Sequence, residues 1–501
     1  VTEARRALAA LLAVLLTVPA MPAAAEDEAE LGRRFMLEIR SQLPLIDDPT
    51  MTAYVDRIGQ RLVKGLGPQA FEYHFYVVPH PSLNAFAVPG GYIFVFTGLL
   101  ARTETDDELA GVLAHEIAHV HAHHAVRQQT QGQMWSYAAL LGALLSAVNP
   151  VVGAGAMAAA QTAQLKYSRE FEQEADYMGL RYATESGYDP HALGAFFKEL
   201  LAEQRINPAG VPAYMLSHPL TESRVGNIDT IIAAQKLKTP AGRPKATPEL
   251  AEVRAVSRAI ADPPEVVIAD YKRQVDAKPD DGERHLLLGR VYQTIGQLDS
   301  ARASLERARD LGLADRADRP LGTVYLSLKQ PEKARDALQR YLAKHPDDGW
   351  AHLELGKALN ETDPDAALIE FQRAARLSPE LDEAHRLAGI SLGRKGREGD
   401  GFYELAVAAQ LRGELEQALS HYRRAEEKIP AGSAREREVK LAIEELLPIV
   451  RERDRERQER RRAGRHGVHD GLDVQAGPDP DRGPGYRRRP ERPHAGPLPG
   501  Y

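Results

Sequence analysis

The chain has no cysteine in its 501 residues. That excludes disulfide bonds, thiolate metal sites and a lipid-modified N-terminal cysteine. Any zinc bound here must be held by nitrogen and oxygen. An excess of positive charge is also missing. The formal net charge is -7, which gives no reason to expect nucleic acid as a partner. Long apolar runs are few. One, Ala7 to Val18, follows Arg5 and Arg6 and precedes Ala23-Ala24-Ala25. It has the build of a signal peptide over residues 1–25 and is too short for a membrane span. Export without a later anchor predicts a Gram-negative periplasmic location, with secretion as the lesser alternative. The other run, Trp135 to Ala160, is divided by Asn149-Pro150 into pieces too short to cross a bilayer. A helical hairpin over an active-site cleft is the favoured reading, with peripheral membrane contact left open and a membrane-embedded protease spanning here as the minority alternative.

What is present begins with apolar content of 43%, enough for two or more domains in a chain of this length. Leu109, Val112, Leu113, Ile117 and Val120 recur at helical spacing. The same helix carries His115-Glu116-Ile117-Ala118-His119. His115 and His119 lie one turn apart on one face and can reach one metal ion, while Glu116 stands close enough to take a proton from water there. A further ligand is offered by Ser168 to Asp176, where Glu172 and Asp176 share a helix face. A carboxylate from a second helix would complete an open three-ligand site, and Asp176 could accept the free ring N–H of a ligand histidine. Glu170 and Glu174 fall on other faces and are expected in solvent.

Ahead of this helix, Asp27 to Gly67 reads as two polar helices broken at Asp47-Asp48-Pro49. Phe71 to Val78 alternates as a strand does, and Asn84 to Phe96 reads as two strands turned at Pro89-Gly90-Gly91. The proline favours an edge strand, to which an extended peptide could add. Thr239 to Pro248 reads as the start of a linker over 239–262. The catalytic unit is then 26–238, a repeat unit 263–450, and a tail 451–501 that is disordered beyond about Arg465. In the repeat unit Gly289, Gly322 and Gly356 follow one another at 33 and 34 residues, each after a leucine. With Ala301, Ala334 and Ala367 in step, this is the tetratricopeptide pattern of paired helices stacked into a superhelix with a concave face. A last unit is read over Leu405 to Pro430.

Together, Asn84 to Gly91, Gly98-Leu99-Leu100, His115-Glu116 with His119, Ser168-Arg169 with Glu172 and Asp176, and Ser217-His218-Pro219 with Arg224 resemble the gluzincin peptidases. That family includes the HtpX-type and CAAX-processing membrane proteases. The resemblance implies an α+β gluzincin metalloprotease domain followed by an all-α tetratricopeptide superhelix, acting as a zinc endopeptidase with one zinc per chain. It implies Glu172, rather than Glu174, as the third ligand, with His218 a further metal-site residue on a movable loop that closes the latent enzyme. His218 and Arg224 are the candidates for stabilising the oxyanion. The family often has Arg-His where this chain has His123-His124, and His121, His123 and His124 are expected as solvated helix-end residues. Taken with export and repeats, the resemblance implies quality control and assembly of outer-membrane β-barrel proteins. The partners would be misfolded or stalled outer-membrane proteins and the barrel-assembly machinery. The competing reading is a chaperone or scaffold that works through its repeats, with proteolysis latent.

Overall fold

The computed structural model describes residues 25–130, 169–206, 213–240 and 246–466. The expected signal peptide, apart from Ala25, and the stretch Trp135 to Ala160 lie outside the described residues. Among the described residues, no helix is long and apolar enough to cross a membrane.

The N-terminal polar stretch forms α1 (Ala25–Gln42) and α2 (Pro49–Lys64). Asp48 caps α2 by accepting from Thr50 N–H and Met51 N–H at 3.0 and 3.1 Å, and Pro49 occupies the first turn, where no donor is needed. Next come β1 (His74–Val78), β2 (Ala85–Val88) and β3 (Tyr92–Phe96). Their order is β1-β3-β2, with β1 parallel and β2 antiparallel to β3, and Phe86 opposite Phe94. The turn Pro89–Gly91 holds Gly90 and Gly91 at φ 77° and 89°, a region that strains other residues. β2 is the edge strand that Pro89 predicts. The pleat divides the side chains. Val77, Ala85, Ala87, Ile93 and Val95 enter the main core, and Phe86, Val88, Phe94 and Phe96 meet Phe35, Met36 and Ile39 of α1.

After α3 (Thr97–Arg102), the Thr105 hydroxyl and the Glu108 carboxylate make a reciprocal capping box that starts α4 (Asp106–His121). Every residue of α4 from Asp106 to Val120 is buried except Asp107, as befits a helix with small or apolar residues on all sides. The chain continues as α5 (His124–Thr130), α6 (Arg169–Glu185), α7 (His191–Ile206), α8 (Ala213–Ser217) and α9 (Glu222–Gln235).

The linker reading of 239–262 needs correction. Residues Pro248–Ala261 form α10, capped by Thr247. Its Leu250, Val253 and Val256 lie in the core of the catalytic unit, while Ala255 and Ala259 lie in that of the repeats. Proline and lysine upstream suggest a hinge, but the apolar residues after Thr247 sit on two faces and each finds a partner.

Helix pairs follow: α11 (Pro264–Ala277) leads to α12 (Gly282–Ile295) with α13 (Leu298–Ala308), α14 (Ala314–Ser327) with α15 (Pro331–Leu342), and α16 (Gly349–Leu359) with α17 (Pro364–Leu377). The periodic glycines are where paired helices touch. A Cβ on Gly289, Gly322 or Gly356 would fall within 2.7 Å of Leu305, Leu338 or Phe371 respectively. The pattern continues further than Gly356 suggests. Gly389 lies on α18 (Asp382–Arg394), where a Cβ would meet the Gly401 carbonyl of α19 (Glu398–Leu411) at 2.8 Å. This pair precedes α20 (Leu415–Lys428). Arg290 of α12 is buried between Asp48 (2.5 Å) and Glu252 of α10 (2.9 Å), which ties the repeats to the catalytic unit.

The last helix, α21, runs Ala434–His466, so the first part of the expected tail is helical. Arg and Glu are good helix formers, and a charged run without apolar periodicity can still wind. Residues 467–501 lie outside the described residues.

Candidate metal centre

His115 and His119 stand one turn apart on α4, both buried. α6 crosses α4 at Gly179, where a Cβ would lie 3.1 Å from His115 N and 3.2 Å from the Ala114 carbonyl. This close approach brings Asp176 and Glu172, one and two turns earlier on α6, against the histidines. His218 follows α8, which is fastened just ahead of the edge strand by Tyr214 N–H donating to Leu83 O at 3.1 Å. The His218 ring stacks on Tyr214 at 4.6 Å.

Four donors converge. His119 Nε2 lies 3.1 Å from His115 Nε2, which lies 3.4 Å from His218 Nδ1. Glu172 Oε1 is 3.0 Å from His218 Nδ1 and 3.5 Å from His119 Nε2, and its Oε2 is 3.5 Å from His115 Nε2. All the donor atoms fall within 4.8 Å of one another, on four buried residues. Ligands at ~2.0–2.1 Å around a tetrahedral zinc are about 3.3–3.4 Å apart, so these spacings fit one ion. Nitrogen lone pairs turned toward each other in a dry interior repel unless a shared cation or proton lies between them. The donor set, three imidazoles and a carboxylate, is one that zinc accepts.

Around the donors, burial pushes the Glu116 carboxyl up to about 7, and Glu116 Oε1 lies 3.5 Å from His218 Nε2. Burial, then His115, holds His119 well below its ordinary value. Burial would raise Glu172, but His218 and Arg224 outweigh it and keep the carboxylate ionised. Asp176 Oδ1 lies 3.1 Å from His115 Nδ1.

Arg224 holds a different place from the one its oxyanion candidacy suggests. Its guanidinium donates to Asp176 at 2.6 and 2.8 Å, pairs with Glu172 at 2.5 Å and lies over the Phe197 ring. His124 departs further from expectation. His121 and His123 are partly exposed, but His124 is wholly buried, stacked on Phe171 at 4.5 Å. The cause is His123, whose φ of 53° breaks the helix and turns the next residue inward. Glu174 is partly exposed and pairs with His124 and Arg127, so it is not a free solvent residue. No spacing in the sequence signals this, because the turn at His123 ends the helical register.

These features define a metallopeptidase. Residues 49–232 match Peptidase family M48, and residues 286–349 and 319–382 match the Tetratricopeptide repeat. The M48 match and the buried donor cluster are those of a metalloendopeptidase domain, joined to a tetratricopeptide array. It is similar to the Beta-barrel assembly-enhancing protease of Yersinia pestis, with 29% identity over 374 residues, 65% of this chain and 76% of the relative. The protein of the same name from Escherichia coli is 29% identical over 391 residues, 68% and 79% of the two chains. The Mitochondrial metalloendopeptidase OMA1 of Schizosaccharomyces pombe is 30% identical over 199 residues, 37% and 55% of the two.

Proposed function

We propose that this protein is an exported, periplasmic zinc endopeptidase serving quality control and assembly of outer-membrane β-barrel proteins. The carrying observation is the buried cluster of His115, His119, Glu172 and His218 around Glu116. The name shared by the relatives from Yersinia pestis and Escherichia coli supports the assignment to barrel assembly. Misassembled outer-membrane proteins would be the substrates, and the repeats would hold them or the assembly machinery on their concave face.

In this reading His115, His119 and Glu172 hold one zinc, and Asp176 with Arg224 fixes the His115 ring and the Glu172 carboxylate. Zinc, when bound, supplies Lewis acidity, bringing the pKa of water to about 7 and polarising a peptide carbonyl. Glu116, whose Oε1 lies 3.5 Å from His218 Nε2, takes the proton from water and returns it to the leaving amine. The substrate lies extended along the β2 edge, using its backbone groups. His218 is a fourth protein donor in a site that catalysis needs open, so it must withdraw before turnover. An oxyanion role for His218 is the alternative to this plug role, since Arg224 is committed to two carboxylates. The catalytic unit is assigned to 26–238 and the repeats to 263–450, with α10 shared between them.

The closed donor set favours a second reading: a chaperone or scaffold acting through its repeats, with proteolysis latent. Glu116→Gln distinguishes the two. It should keep zinc near one per chain and slow cleavage of an unfolded substrate by ~10²–10⁴-fold. Loss of outer-membrane assembly in cells carrying this variant supports the protease reading, and full assembly supports the scaffold. Zinc and cleavage both intact in Glu172→Ala would show that the ligand set is wrong.

A further inference from the structure

His119 Nε2 points into the donor cluster, and the opposite ring nitrogen faces a second histidine. His119 Nδ1 lies 3.0 Å from His124 Nδ1, and His124 Nε2 lies 3.1 Å from Glu174 Oε2. Glu174 is in turn held by Arg127 Nη1, at 3.1 and 3.0 Å to its two oxygens. His124 is fully buried between these groups and lies flat on Phe171, whose ring also carries Arg127 at 4.7 Å.

We propose that His124, braced by Glu174 and Arg127, is a positioning residue that sets the tautomer and orientation of His119 as a metal ligand. The inference rests on the metal-centre reading above and extends it to residues that reading leaves unused. The proton arrangement follows from geometry. If His119 Nε2 gives its lone pair to the ion, its proton must be on Nδ1, which then donates to His124 Nδ1. His124 Nδ1 must be the acceptor, so His124 carries its proton on Nε2 and donates it to Glu174. Each step leaves one consistent choice. The result mirrors the other ligand, where His115 Nδ1 meets Asp176 and Asp176 meets Arg224. Both histidines end on a carboxylate paired with an arginine. Glu174 faces outward, and the ring of His124 spans the additional distance. A hydrogen-bonded partner behind a ligand histidine raises its basicity and holds its ring against rotation.

The test uses the full chain and zinc alone as the probe, with affinity read by competition against a chromophoric chelator. His124→Phe keeps the stack on Phe171 but removes the acceptor, and His124→Gln restores an acceptor oxygen. His124→Phe should weaken zinc binding by ~10–100-fold and shift the d–d absorption of the cobalt-substituted protein, with His124→Gln recovering much of both. Wild-type affinity and spectrum in His124→Phe would reduce His124 to packing and overturn the proposal. So would a His124→Gln variant as weak as His124→Phe. If His124→Phe fails to fold, Glu174→Gln at the partly exposed end of the chain should still lower zinc affinity, and no change there overturns the proposal. Failure of the wild-type chain to bind zinc at all would instead remove the metal-centre reading itself.

Discussion

A chain stopped at Thr239 should fail to keep a stable catalytic unit, although the sequence suggests a linker there. The reason is α10. Leu250 and Val253 are 0% exposed and Val256 2%, all three within the core formed with α2, α3 and α4. Burying a Val or Leu side chain fully stabilises by about 1.5–3 kcal/mol, so losing three costs about 4.5–9 kcal/mol. Whole-domain stabilities run about 5–15 kcal/mol, so the deletion removes a large share of what holds the unit folded. A chain stopped at Asp262 keeps α10 and exposes on its repeat side chiefly Ala255 and Ala259, a far smaller apolar loss. Urea unfolding of the two truncated chains, followed by far-ultraviolet circular dichroism and paired with soluble yield, separates the cases. The Thr239 chain should be insoluble or melt at much lower urea, while the Asp262 chain should unfold cooperatively. Equal midpoints and equal slopes would mean that α10 contributes nothing to the catalytic core, and the reasoning would fail.

His218→Ala should keep zinc and raise basal proteolysis, including self-cleavage; a fall in turnover of ~10²-fold would reassign the residue to the oxyanion. Arg290→Met should cost about 1–3 kcal/mol in urea unfolding, because it takes the arginine from half-buried Asp48 and leaves buried Glu252 with Arg316 alone. Adding Asp48→Asn should recover part of that loss. In the repeats, His352 Nδ1 lies 2.5 Å from Glu370 Oε2 and its Nε2 2.9 Å from the Pro346 carbonyl. Burial opposes the charged ring, but these acceptors outweigh burial and raise its pKa above the ordinary 6.5. A raised folded-state value means stability that is full below the unfolded pKa and is lost as pH rises through the folded one. Thermal stability of the repeats should therefore fall on that rise, and His352→Gln should flatten the profile.

Much of the architecture was legible in the chain itself. Helical periodicity placed His115 and His119 on one face, because an α-helix repeats every 3.6 residues whatever packs on it. Pro89-Gly90-Gly91 announced the turn and the edge strand, since few other residues tolerate that backbone. The spacing of Gly289, Gly322 and Gly356 declared the superhelix, because a paired helix leaves no room for a side chain there. Composition limited any metal to nitrogen and oxygen donors. What tertiary structure decided was which faces meet. Periodicity marks a face as buried but does not name the neighbour that covers it. The two apolar faces of α10 are therefore invisible as such until one meets the catalytic core and the other the repeats. Arg224 is distant in sequence from the carboxylates that engage it, and only the packing of α9 against α6 brings the charges together. His124 looked like a surface histidine because it follows the helix end; one left-handed residue before it turned the ring into the interior, behind His119.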